Sequence, residues 1–161
     1  IMLPERPPGN KAPLASYEDR LRMLELATRE SAGIEVLDKK EDSHNVKTVL
    51  SLVREKYDNP EGVWLIIGAD VFENISNWDD WEQLKSEVRL VVSLRSEDDG
   101  EIAVSESEKL GVDIDMLSSK HPSVSSSGLR EQIMNNDKLI GVDKDVYEYV
   151  RANRLYGSRK V

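Results

Sequence analysis

Five consecutive apolar residues, Val63-Trp64-Leu65-Ile66-Ile67, run into Gly68, Ala69 and Asp70 with no polar interruption. A strand with one face in water alternates apolar and polar side chains, so a run without alternation predicts a strand covered on both faces in a parallel sheet. Parallel strands cannot be joined by tight hairpins and need crossovers, usually helical. This one segment therefore demands a chain that alternates strands with helices.

The rest of the chain meets that demand. Tyr17, Leu21, Leu24 and Thr28 recur at helical spacing behind Ser16, a good N-cap, with Glu18 and Asp19 suiting the dipole of the first turn. Residues 1–3 read as the tail of a strand stopped by Pro4, Pro7, Pro8 and Gly9, and residues 34–37 as a short strand. After a polar loop over 38–45, Val46, Val49, Leu50, Val53 and Tyr57 predict a second helix that ends before Asn59 and Pro60. Phe72, Ile75, Trp78 and Trp81 predict a helical stretch after Asp70, and residues 88–94 the next strand. An acidic loop over 96–101 then leads to a weaker strand over 112–117. Residues 123–127 lead into a helix carrying Leu129, Ile133 and Met134, and Val146, Tyr147 and Val150 mark a last helix. The pattern predicts an α/β fold, a parallel sheet flanked by helices on both faces, with ligands at the carboxyl ends of the strands.

Composition narrows the function. The 161 residues suit one domain, and 39% hydrophobic with 33% charged residues is the balance of a globular chain. A net charge of −9 argues against nucleic acid as a partner, because sequence-independent binding needs a basic face. No apolar run approaches the ~20 residues of a membrane span and no signal peptide opens the chain, so the expected location is the cytoplasm, without a membrane partner. The absence of cysteine excludes a disulfide framework, a thiolate metal site and a cysteine nucleophile, and the two histidines, His44 and His121, are too far apart for a metal cage. No protein metal site is expected. Hydrolase elbows, P-loops and the G-x-G-x-x-G fingerprint are also missing.

What remains is a set of binding residues. Gly68 permits close approach of a ligand to the backbone and Asp70 can accept hydrogen bonds from ribose hydroxyls, although Gly68-Ala69-Asp70 would also serve as a plain strand-to-helix turn. Trp78 and Trp81, three apart, share a face if helical; Trp81 reads as core, and Trp78 as core or as a plane for stacking on a base or pyridine ring. Ser125, Ser126 and Ser127, followed by Gly128 and Arg130, form a helix start rich in hydroxyls and N–H groups with a guanidinium one turn on, suited to phosphates or simply to capping. Lys11 and Arg95 are further basic candidates.

In this order and spacing the residues resemble the nicotinate and nicotinamide mononucleotide adenylyltransferases. Pro4, Pro7-Pro8, Lys11, Arg20 and Met23 resemble that family's early segment, and Gly68-Ala69-Asp70 with Trp78 and Trp81 resembles its G-x-D and W-x-x-W. Residues 91–95 resemble its strand ending in arginine, 124–130 its ISSTxIR signature, and 153–156 its closing N-x-L-Y. The resemblance implies a Rossmann-like nucleotidyltransferase fold. It also implies a reaction in which the mononucleotide 5′-phosphate attacks the α-phosphorus of ATP, with Mg²⁺ bound to ATP and pyrophosphate leaving. Positioning and charge stabilisation then suffice, which is why no nucleophile is found.

Carried over by position, Gly68, Asp70, Arg95, Ser125, Ser126, Ser127 and Arg130 would bind ATP, with Arg130 and Lys11 catalytic. Trp78, Asn45 and Lys11 would bind the mononucleotide. The partners are then small molecules, and the chain would act alone or as a homo-oligomer. Two departures stand out. His44-Asn45 occupies the place of the family's Y-T, which bears on the choice between acid and amide, and the family's glycine-rich strand end and H-x-G-H pair do not occur. The resemblance therefore implies a single domain lacking its first strand and helix, with that segment expected ahead of Ile1. Two other readings compete with this one. A different adenylyl- or cytidylyltransferase of the same fold is disfavoured by the tryptophan pair, and a non-catalytic nucleotide-binding module would follow from loss of the histidines.

Overall fold

The computed structural model describes residues 1–2, 4, 14–38, 46–57, 62–120, 124–135 and 141–158. The chain divides into two compact units, one of Ser43–Ser123 and one of Ile1–Asp42 with Val124–Val161.

The unit Ser43–Ser123 is built on three parallel strands, β1 (Val63–Gly68), β2 (Val88–Leu94) and β3 (Ile114–Ser118), in the order β1-β2-β3. Leu65 lies opposite Leu90, and Leu90 opposite Ile114, so one face of the sheet carries a continuous row of aliphatic side chains. That face meets Phe72 from α3 (Ala69–Phe72), Trp81 and Leu84 from α4 (Trp81–Glu87), Ala103 from α5 (Glu97–Leu110) and Leu50 from α2 (Val46–Lys56) in one buried cluster. Phe72, Ile75 and Val92 are fully enclosed.

Three expectations need correction here. The apolar run of β1 is not covered on both faces: Trp64 is 49% and Ile66 63% exposed, while Leu65 and Ile67 pack on the core. Successive side chains point to opposite faces, and the helices of the cluster sit on one of them. The acidic loop over 96–101 is the start of the 14-residue α5. Ser96 Oγ accepts from the Asp99 N–H while the Asp99 carboxylate accepts from the Ser96 N–H, a capping box that turns an acidic run into a helix N-terminus. Finally, the stretch from Phe72 to Trp81 is not one helix. It breaks into α3, a 3-10 turn over Ile75–Asn77, and α4, so Trp78 is an extended residue between two helical pieces and shares no helix face with Trp81.

The other unit is helical. It holds α1 (Tyr17–Thr28), α6 (Ser126–Asn135), α7 (Lys144–Ala152) and a 3-10 turn over Leu155–Gly157. Ser16 caps α1 by accepting from the Asp19 N–H at 3.0 Å, as its sequence suggests. The strand read at 34–37 reduces to one parallel bridge, Met2 to Val36, in which the Met2 N–H donates to the Glu35 carbonyl and the Leu37 N–H to the Met2 carbonyl. Pro4 directly after this pairing has no N–H with which to extend the ladder.

Candidate functional site

At the carboxyl end of β1 the chain turns at once into α3, which lifts Asp70 clear of the sheet. Its Oδ1 lies 3.1 Å from the Arg95 guanidinium, just beyond the end of the neighbouring β2. Gly68 makes this possible: a Cβ on it would lie 2.5 Å from Asp70 Oδ1 and 3.9 Å from the Arg95 guanidinium. Its φ of −76° is open to any residue, so the glycine here supplies room, not backbone freedom. Both side chains remain well exposed, at 43% for Arg95 and 68% for Asp70, so the pair presents hydrogen-bonding atoms to solvent.

The approach to this pair is held by local hydrogen bonds. The Arg95 N–H donates to Asp99 Oδ2 at 2.6 Å, and that bond, ahead of those from Ser96, holds the Asp99 carboxyl below the usual carboxylate range. The Asn74 amide donates to the Asp70 carbonyl at 3.2 Å. Trp78 is fixed through its backbone, donating to the Ile75 carbonyl at 3.0 Å and accepting from the Trp81 N–H at 3.1 Å. Its indole is half-buried against the core cluster, whereas Trp81 is 5% exposed and belongs to that core. Trp78 thus keeps part of its surface free.

In the helical unit, Ser125 caps α6: its Oγ accepts from the Gly128 N–H at 3.1 Å and its carbonyl from the Leu129 N–H at 2.9 Å. Ser126 and Ser127 are exposed in the first turn, and the Arg130 guanidinium folds back to donate to Ser127 Oγ at 3.0 Å. Two hydroxyls, unpaired N–H groups of the first turn and a guanidinium therefore converge at one helix start, the composition of an anion site.

Sequence reasoning gave no role to a third group. The half-buried Tyr156 is pushed above its ordinary pKa by burial, and the charges of Arg130, Arg20 and Asp19 all reach its hydroxyl. Asp19 in turn accepts from the Tyr149 hydroxyl at 2.9 Å, and burial followed by that bond raises the Tyr149 pKa. Arg20 also lines a cavity of about 440 Å³ with Pro4, Met23, Val142, Asp143 and Val146, in which neither the serines nor Arg130 take part. Lys11 and Asn45, expected at the phosphates and at the mononucleotide, lie outside the described residues, as do His44 and His121.

Residues 1–132 match the family described as Cytidylyltransferase-like. The probable nicotinate-nucleotide adenylyltransferase of Solibacter usitatus (strain Ellin6076) is 31% identical over 161 residues, covering 97% of this chain and 82% of that protein. The protein of the same description from Staphylococcus epidermidis (strain ATCC 12228 / FDA PCI 1200) is 29% identical over 165 residues, covering 94% of this chain and 80% of its own. Among solved structures, the Plasmodium falciparum nicotinic acid mononucleotide adenylyltransferase complexed with NaAD superposes with a TM-score of 0.63 at 18% identity, over 94% of this chain and 79% of that one. At that identity the likeness establishes the fold, a Rossmann-like nucleotidyltransferase fold with helices flanking a parallel sheet.

Proposed function

Because the chain belongs to the cytidylyltransferase-like family, and within it to the nicotinate-nucleotide adenylyltransferases, we propose that it transfers the adenylyl group of ATP to nicotinate mononucleotide in NAD biosynthesis. The observation that carries this reading is similarity over 97% of the chain to a relative of that description. In the reaction a mononucleotide phosphate oxygen forms a bond to the α-phosphorus of ATP, the α–β anhydride bond breaks, and pyrophosphate leaves.

This chain's part is to bind and orient. Gly68, Asp70 and Arg95 would hold ATP by hydrogen bonds and charge, and Ser125, Ser126, Ser127 and Arg130 would take its phosphates. Trp78, fixed by its backbone with part of its indole exposed, would stack on the pyridine ring. Lys11 and Asn45 complete the proposal on the resemblance alone. Among the described residues no three His, Asp or Glu side chains converge to hold a metal ion. Mg²⁺ commonly binds through substrate phosphates and water, and these residues fit an ion that arrives with ATP and spreads the phosphate charge. No described helix is long and apolar enough to cross a membrane, and the location proposed is the cytoplasm, where both phosphorylated substrates are found.

The test is an assay of the full-length protein with ATP, Mg²⁺ and either mononucleotide, following pyrophosphate release. Turnover with nicotinate mononucleotide is expected, faster than with the amide. Absence of turnover with both would overturn the reading.

A further inference from the structure

Only Arg95 and Ser96 separate β2 from α5, and Asp99 holds both of them. A capping box asks one bond of the residue three places past the cap, taken from the N–H of the cap itself. Asp99 makes that bond, its Oδ2 accepting from the Ser96 N–H at 3.2 Å, but the same oxygen takes a shorter one of 2.6 Å from the Arg95 N–H. Arg95 stands before the cap and outside the helix, so the shorter bond serves no orphan group of α5. It holds one end of a peptide unit instead. The carbonyl of that same unit, on Leu94, accepts from the Ser119 N–H just past β3 at 2.8 Å. Because a peptide group is planar and stiff, bonds at both its ends fix its plane and with it the Arg95 Cα.

The side chain is held at its far end as well, where the guanidinium meets Asp70 Oδ1 at 3.1 Å in the space that Gly68 leaves open. An arginine fixed at both ends in the free protein has less rotamer freedom left to lose when an anion binds, and binding is tighter by that difference. We infer that Asp99 is a positioning residue: by fixing the peptide unit from which Arg95 springs, it holds that guanidinium ready for ATP at the carboxyl end of β2. The inference rests on the proposed function for the part Arg95 plays, contact with ATP.

The experiment measures Mg·ATP binding by titration calorimetry with the full-length protein, alongside KM for both substrates and the melting temperature. Asp99→Ala removes the acceptor of both bonds. Its dissociation constant for ATP should rise about tenfold, the scale of one hydrogen bond to a charged group, and KM for ATP should follow. KM for the mononucleotide should stay at its wild-type value. Asp99→Asn keeps an oxygen acceptor without the charge and should bring ATP affinity back to within about threefold of wild type. Ser96→Ala uncaps α5 but leaves the Arg95 bond in place, so it should lower the melting temperature as Asp99→Ala does while ATP affinity stays unchanged. In an Arg95→Ala background Asp99→Ala should weaken ATP binding no further, because its effect passes through that guanidinium.

Wild-type ATP affinity in Asp99→Ala overturns the inference, and so does further weakening in the Arg95→Ala background. A loss in Ser96→Ala equal to that in Asp99→Ala would trace the effect to a loosened helix and overturn it too, as would Asp99→Asn binding ATP as weakly as Asp99→Ala. If the wild-type protein binds ATP but releases no pyrophosphate with either mononucleotide, the proposed function fails while the binding comparison still decides Asp99. A wild-type protein that binds no ATP overturns both.

Discussion

The unit Ser43–Ser123 closes over one contiguous apolar cluster in which Leu50, Phe72, Ile75, Trp81, Leu84, Leu90 and Val92 are all buried. The unit of Ile1–Asp42 and Val124–Val161 encloses far less: among its described residues the buried aliphatic side chains are Ala15, Leu26, Ile133 and Val150. It makes up the difference with polar links, Tyr149 to Asp19 at 2.9 Å and Arg29 to Asp145 at 2.7 Å between α1 and α7, and Ser158 to the Val150 carbonyl. Apolar burial is indifferent to direction, whereas each hydrogen bond fixes two groups in register. The sheet unit therefore supplies a platform held by apolar burial, and the helical unit holds particular side chains by directed bonds.

Substitutions can pull the two modes apart. The largest effect belongs to the core: Phe72→Ala, at a residue with no exposed surface, should destabilise the sheet unit by about 3 to 5 kcal/mol, read as a shift of the denaturation midpoint. Next come the sites themselves. Arg130→Ala should cost about 1.5 to 3 kcal/mol on the ATP side with little change in melting temperature. Trp78→Ala should cost about 1 to 3 kcal/mol, the scale of stacking on a base, and should raise KM for the mononucleotide more than for ATP. Equal effects on the two substrates would assign Trp78 to the platform alone.

Smaller effects test the links. Ser96→Ala should cost about 1 kcal/mol and loosen the start of α5, visible as faster amide exchange over its first turn. The Asp99 carboxyl, held below its ordinary 3.8 by the Arg95 N–H, stabilises the fold above that pH, and its contribution is lost as pH falls through the lowered value. Tyr149 behaves in the opposite sense: raised above 10.0 by burial and by Asp19, it stabilises below pH 10.0 and loses its contribution as pH rises through the raised value. An acid titration should accordingly loosen the first turn of α5 only as pH falls below 3.8, an effect absent in Asp99→Asn. An alkaline one should release the α1–α7 link, an effect absent in Tyr149→Phe.

What could be read in advance follows from the range of the interactions involved. The strands at 63–68 and 88–94 and the helices at 17–28 and 46–56 announce themselves through local periodicity. So does the serine-rich start of α6, because a cap is a property of four consecutive residues. The helix α5 is hidden by its own chemistry, since Glu97, Asp98 and Asp99 look like a solvated loop until Ser96 is seen to cap them. Trp78 and Trp81 mislead because spacing is informative only if one helix continues, and the 3-10 turn at Ile75–Asn77 ends it. The meeting of Asp70 with Arg95 was foreshadowed, both lying at strand ends. The bond from Tyr149 to Asp19 was not, because it joins residues far apart in the chain.

The distribution of aromatic residues has a practical consequence for experiment. All three tryptophans, Trp64, Trp78 and Trp81, lie in the sheet unit, one exposed, one half-buried and one enclosed, while Tyr17, Tyr147, Tyr149 and Tyr156 lie in the helical one. Intrinsic tryptophan fluorescence is thus a reporter confined to the platform, and far-ultraviolet ellipticity sums over both units. Following one denaturation with both signals tests whether the units melt as one body, since a single cooperative transition requires the two curves to coincide. Native protein chemistry has in effect placed its optical label in one unit, so no engineered probe is needed.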